Sequence, residues 1–137
     1  MFSGCYIHSV DDKNRISLPV KFRTALGGRL VLTKGPDGCL WALPVDQWKI
    51  IREKAAQSVP IQRFFVASAC EFVLGAKGRC LLSDSLRQHA GIKSGEEVAI
   101  VGLANRIEIW NARKWEAINS QLTSERVREE LPEFFRL

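Results

Sequence analysis

The chain states one pattern twice. Lys13-Asn14-Arg15 through Phe22-Arg23-Thr24-Ala25-Leu26-Gly27 recurs sixty-four positions later as Lys77-Gly78-Arg79 through Leu86-Arg87-Gln88-His89-Ala90-Gly91. Downstream, Cys39-Leu40-Trp41-Ala42-Leu43-Pro44-Val45-Asp46-Gln47-Trp48 aligns with Arg106-Ile107-Glu108-Ile109-Trp110-Asn111-Ala112-Arg113-Lys114-Trp115, each stretch closing on a tryptophan. A period of this length marks a duplicated supersecondary unit. One unit of about 65 residues is marginal as an independent folder, so the two are expected to share a core. The basic loops at Lys13/Arg15 and Lys77/Arg79 then occupy equivalent places, which suits a repetitive anionic partner.

Each half reads as strand, cationic loop, strand, short helix, hairpin and longer helix. In the first, Cys5 to Val10 is extended, Asp11-Asp12-Lys13-Asn14 has turn chemistry, and Arg15 to Leu18 resumes the strand. Pro19 suits a helix start and Gly27-Gly28 a helix stop. Gly35-Pro36-Asp37-Gly38 turns a hairpin between Leu30–Leu32 and Cys39–Leu43, and Val45, Trp48, Ile51 and Ala55 recur at helical spacing. The second half repeats the plan, with Ser83 and Asn111 as helix caps. A third helical stretch past Thr123 is expected to end at Pro132, leaving Phe134, Phe135 and Leu137 as exposed apolar residues that dock on a neighbour. The expected division is 1–57 for the first repeat, 58–67 for a short connector, 68–121 for the second repeat and 122–137 for the terminal helix and tail. The fold class is α+β, mainly β.

Hydrophobic residues make up 46% and charged residues 26% of the chain, a globular balance. The net charge of +5 is concentrated: residues 1 to 34 hold six Lys/Arg against two Asp. Such a local field draws nucleic acid, anionic lipid or an acidic protein. No apolar run is long enough to span a bilayer and no signal peptide opens the chain, so a cytoplasmic protein is expected. The cysteines at 5, 39, 70 and 80 form no C-x-x-C pair and sit on apolar, strand-like segments, which predicts reduced, buried thiols. Cys5, His8, Cys70 and His89 match no compact zinc spacing, so no metal is expected. Nucleophile elbow, phosphate loop and helical H-E-x-x-H are all missing from the sequence, so neither cofactor nor enzymatic activity is expected. Trp48 and Trp115 fall on apolar helix faces and are read as core.

The stretch Asp11-Asp12-Lys13-Asn14-Arg15-Ile16-Ser17-Leu18-Pro19, opening seven residues after Gly4, closely resembles the D-x-K-G-R-(I/L)-x-(I/V)-P signature of the MraZ family. The resemblance runs from Met1 to about Asn119. It takes in the Phe2-Ser3-Gly4 start, the Asp37-Gly38-Cys39-Leu40 hairpin, the Leu86 to Gly91 segment and Glu108-Ile109-Trp110. It implies a duplicated, swapped-hairpin AbrB-like β-barrel with flanking short helices. It also implies a ring-like homo-oligomer, associated with the nucleoid, that regulates transcription by binding direct repeats in double-stranded DNA upstream of the division and cell-wall gene cluster. By position it assigns DNA contact to Lys13, Arg15 and Arg23, and to their counterparts Lys77, Arg79 and Arg87.

Asn14 stands where the family has Gly, a residue type that tolerates the left-handed region at modest cost. Gly75 stands where the second motif usually has Asp, and Ser83-Asp84 replace a Pro-containing helix start. Asp11 and Asn14 are accordingly read as bracing the first loop, with Asp11 aiming the Arg15 fork, and the second loop is expected to be looser. Two other classes compete with a DNA regulator. One is an oligomeric scaffold docking an acidic protein on the same basic loops. The other is an RNA-binding module, disfavoured because the aromatics read as buried rather than as exposed stacking platforms.

Overall fold

In the computed structural model, which describes residues 1–135, the duplication reappears in the strand pairing. The first half comprises β1 (Phe2–Ser9), β2 (Arg15–Ser17), α1 (Val20–Leu26), β3 (Arg29–Lys34), β4 (Leu40–Leu43) and α2 (Val45–Ala55). A short helix α3 (Val59–Ile61) and a π-helical turn (Gln62–Val66) lead to β5 (Cys70–Val73), β6 (Arg79–Leu81), α4 (Asp84–Ala90), β7 (Glu97–Ala104), β8 (Arg106–Asn111) and α5 (Ala112–Asn119). The last described element is α6 (Ser124–Phe135).

Six strands form one antiparallel sheet in the order β1-β7-β8-β4-β3-β5, and β2 pairs β6 in a separate two-stranded ribbon. The order is a palindrome of equivalent strands. The opening strand of each half lies against the hairpin of the other, β1 on β7 and β5 on β3. Two pairings join equivalent strands across a local twofold: Ile16 faces Cys80 in the ribbon, and Trp41 faces Glu108 between β4 and β8. The halves are therefore interleaved, as the swapped-hairpin expectation required, and the fold is α+β with sheet dominant.

The core follows the same rule. Ile16, Leu18, Phe22 and Leu26 pack in one cluster with Cys80, Leu82, Leu86 and Ala90, each sixty-four residues from its counterpart. Phe22 is fully buried, with Phe2 and Tyr6 meeting it edge-on at centroid distances of 5.7 and 5.3 Å. Neither half could cover these side chains alone, so their burial, about 1.5–3 kcal/mol for each large residue, holds the halves together. Glu108, 4% exposed at the β4–β8 pairing, is satisfied by Arg106 Nη2 and by the Trp110 indole N–H, each at 2.9 Å.

Three local expectations are corrected. Cys39 and Cys80 are buried, but Cys70 is half-buried and Cys5 is exposed, because β1 turns that face of the strand to solvent. Trp48 is core, whereas Trp115 is half-buried against Trp110. The terminal helix does not stop at Pro132 but runs through it to Phe135. Pro132 has no N–H to give the Arg128 carbonyl four residues back, so the last turn forms without that bond. Phe134 is 75% exposed; Leu137 lies outside the described residues, as does the Phe135 side chain. The connector is ordered: Thr33 Oγ1 donates to the Phe65 carbonyl at 2.6 Å and the Phe65 ring stacks on Trp41.

Candidate nucleic-acid interface

The ribbon of β2 and β6 sorts its side chains by alternation. Ile16 and Cys80 point into the core, 0% and 1% exposed, so Arg15, Ser17, Arg79 and Leu81 share the outer face. Arg15 is opposite Leu81 and Arg79 opposite Ser17, which makes the two arginines diagonal neighbours, with backbones about 7–8 Å apart. Each cationic loop enters one strand, so the loops sit at opposite ends of the ribbon, with Asn14 and Gly78 about 14 Å apart along it at 3.4 Å per residue. Both turns close alike: Asn14 N–H donates to the Asp11 carbonyl at 3.1 Å and Gly78 N–H to the Gly75 carbonyl at 2.9 Å. Asn14 and Gly78 hold the same left-handed backbone, φ 59° and 60°. Two further bonds, Leu18 N–H to Gly78 O and Leu82 N–H to Asn14 O, tie each loop to the opposite half.

The first loop is braced by its own carboxylate. Asp11 Oδ1 accepts the backbone N–H groups of Lys13 (2.9 Å) and Arg15 (2.8 Å), while Oδ2 accepts Arg15 Nε–H at 2.9 Å. These bonds, led by the Arg15 backbone N–H, hold the Asp11 carboxyl below the usual carboxylate range. Ser94 Oγ donates to the Asp11 carbonyl at 3.0 Å, anchoring the turn from the second half. Of the Arg15 guanidinium nitrogens only Nε is engaged by another of the described residues, and the side chain lines an open concavity.

The second loop has Gly75 in place of Asp11 and is held differently. Arg23, on α1 of the first half, donates Nε–H to the Leu18 carbonyl at 2.8 Å and Nη1–H to the Ala76 carbonyl at 2.9 Å. Its counterpart Arg87 donates Nε–H to the Leu82 carbonyl at 3.2 Å but sends Nη2 to the exposed Asp84 carboxylate. Ser83 Oγ accepts Leu86 N–H and caps α4, a bond that Pro19 at the equivalent place in α1 does not make.

Of the six cations expected at the interface, Lys13, Lys77 and Arg79 are exposed and Arg15 is half-buried. Arg15, Lys77 and Arg79 line one open concavity with Phe72 and Leu81, and Lys13 lies outside that lining. Arg23 and Arg87 are half-buried; Arg23 has main-chain carbonyls as partners, and Arg87 has one carbonyl and the Asp84 carboxylate. Two contributors escaped the sequence reading. Ser94 left no signal, being an isolated Ser in a turn, whereas Gly78 was readable from its alignment with Asn14.

His8 Nδ1 pairs with the Ser17 carbonyl and His89 Nε2 with the Gly35 carbonyl. Among the described residues no group of His, Cys, Asp and Glu is arranged to hold a metal ion. Among the described residues, no helix is long and apolar enough to cross a membrane.

A family model described as "MraZ protein, putative antitoxin-like" matches residues 1–62 and 65–134, nearly the whole chain in two segments. The chain is 41% identical to the Transcriptional regulator MraZ of Clostridium beijerinckii over 87% of each protein. It is 38% identical to that of Natranaerobius thermophilus, over 98% of this chain and 99% of the relative. For that of Caldicellulosiruptor bescii the identity is 40%, over 97% and 98%. With the signature in the first loop, its Lys-Gly-Arg echo in the second, and relatives of this identity matched over most of their length, the chain belongs to the MraZ family.

Proposed function

We propose that this protein is a sequence-specific, double-stranded-DNA-binding transcriptional regulator that reads its operator with the β2–β6 ribbon. One observation carries the reading: Arg15 and Arg79 share the outer face of a two-stranded ribbon whose ends carry Lys13 and Lys77. A B-DNA major groove about 12 Å wide admits such a ribbon. An Arg fork grips guanine O6/N7 in two bonds, whereas Lys is a mobile point charge suited to phosphate. Arg15 and Arg79 are thus the readers, and Lys13 and Lys77 the anchors. The names of the relatives support the regulatory role.

The same reading makes the interlocked halves 1–57 and 68–121 one DNA-binding unit, several of which assemble in a ring over direct repeats upstream of the division and cell-wall genes. Its place is then the cytoplasm, at the nucleoid. The two ends of the six-stranded sheet support self-association. One end exposes Ile7 beside Glu97 and Glu116; the other exposes Val73 beside Arg29 and Glu71, with Lys49 at the position matching Glu116. Unlike ends of a pseudo-symmetric body suit a head-to-tail contact, which generates a ring where the rotation closes.

A mobility shift of the purified protein on DNA from upstream of its own gene tests the reading. Retarded operator with unretarded random duplex at moderate salt supports it. Binding to neither DNA, together with capture of an acidic protein by the same loops, would replace it with the scaffold role.

A further inference from the structure

We infer that Arg23 is a positioning residue for the second cationic loop, supplying from the opposite half the brace that Gly75 cannot. The inference rests on the reading of the loops as the DNA-contacting surface. It departs from that reading in moving Arg23 from DNA contact to support.

Asp11 organises the first loop by accepting two backbone N–H groups and one side-chain N–H, and Gly75 has no group to do the same. The planar Arg23 fork instead ties the exit of β2, at the Leu18 carbonyl, to the second loop, at the Ala76 carbonyl. These bonds occupy two of its three nitrogens on main-chain partners, one of them in the loop that carries Lys77 and leads into Arg79.

Gly78 makes the approach possible. A Cβ at Gly78 would lie 2.1 Å from Arg23 Cδ and 2.3 Å from Nε, so the arginine rests directly against the glycine α-carbon. At the equivalent place in the first loop stands Asn14, with the same backbone and a side chain in that space. Arg87 accordingly does not reach across to the first loop and pairs with Asp84 on its own helix. Each loop thus has one brace of a different kind, an internal carboxylate for the first and a guanidinium from the other half for the second. Lys cannot replace this fork, because a single ammonium does not span two carbonyls in fixed directions.

The test uses Arg23→Lys, which keeps the charge, and Gly78→Asn, which keeps the left-handed backbone but displaces Arg23. Amide hydrogen exchange on the free protein comes first, since it needs no DNA. In both variants exchange at residues 75–78 is expected to rise, with residues 11–15 unchanged and the thermal midpoint within a few degrees of wild type. Operator binding follows, with Arg79→Ala and the double variant Arg23→Lys/Arg79→Ala. Each single change is expected to weaken binding by about 5- to 150-fold, the span of one bidentate contact, and the double variant to lose far less than the product. Unchanged exchange at 75–78, with losses that multiply, would overturn the inference and make Arg23 a direct phosphate contact. Raised exchange at 75–78 with no loss of affinity from Arg23→Lys or Arg79→Ala would overturn the role in binding and remove the second loop from the DNA surface.

Discussion

Asp11 holds Arg15 with both carboxylate oxygens, Oδ1 on the backbone N–H at 2.8 Å and Oδ2 on Nε–H at 2.9 Å. The grip fixes a side chain that is only 28% exposed and, among the described residues, leaves its two terminal nitrogens without a hydrogen-bond partner. Arg15→Ala is expected to abolish discrimination of operator from random DNA, at about 1–3 kcal/mol per subunit multiplied by several subunits acting together. Asp11→Asn should weaken operator binding in the same direction by a smaller amount, because an amide N–H set against Nε–H releases the fork without removing it. Circular dichroism checks that both variants fold, and unchanged operator affinity in a folded Arg15→Ala protein would contradict the assignment.

The loops should not contribute equally. Arg15 is held by a carboxylate, whereas Arg79 is exposed and must lose side-chain freedom on binding, at about 0.5–1.5 kcal/mol for a rotamer-rich side chain. Arg79→Ala is therefore expected to cost less affinity than Arg15→Ala on one operator at one salt concentration. An equal or larger loss would show that the carboxylate is irrelevant to reading.

The brace has a defined pH window. Asp11 is lowered from its ordinary value by the Arg15 backbone N–H first and by the Arg15 side chain and Lys13 N–H besides. A depressed carboxyl stabilises the folded loop fully above the unfolded pKa, about 3.9, and that contribution is lost as pH falls through the lower folded pKa. Loop order around Lys13 and Arg15 should therefore be constant from pH 8 to pH 5. A carboxyl-detected NMR titration reads it directly, and a midpoint for Asp11 at or above that of a free aspartate would contradict the geometry.

Assembly gives a third kind of test. The 15.4 kDa chain is expected to run as a homo-oligomer several times that mass at micromolar concentration. Glu116→Lys places like charges across the head-to-tail contact and should shift light scattering toward smaller species, and adding Lys49→Glu should restore the large one. A monomeric wild-type protein, or a double variant no larger than the single, would rule out that contact.

Much of this was legible in the chain because duplication constrains both halves at once. The Lys13/Arg15 and Lys77/Arg79 echo predicted equivalent loops, and the strand register places them at the two ends of one ribbon. Asp11 as a brace followed from the contrast between the acidic residue that opens the first motif and Gly75 at the start of the second. The role of Arg23 was not legible, because its partner is the carbonyl of Ala76, a group every residue carries, fifty-three positions away. Exposure of Cys5 was hidden for a related reason: an apolar strand residue is buried only where a neighbour covers its face, and composition does not report neighbours.

Reading of operator DNA by the ribbon is tested most directly by affinity against salt for operator and random duplex. Each phosphate neutralised by Lys13 or Lys77 releases counterions, so log K should fall linearly with log salt at a slope of about −0.9 per contact, summing steeply over a ring. Lys13→Ala should weaken both DNAs alike and make the slope shallower, while Arg15→Ala should erase chiefly the difference between them. Equal affinity of the wild-type protein for operator and random DNA at every salt concentration would contradict it.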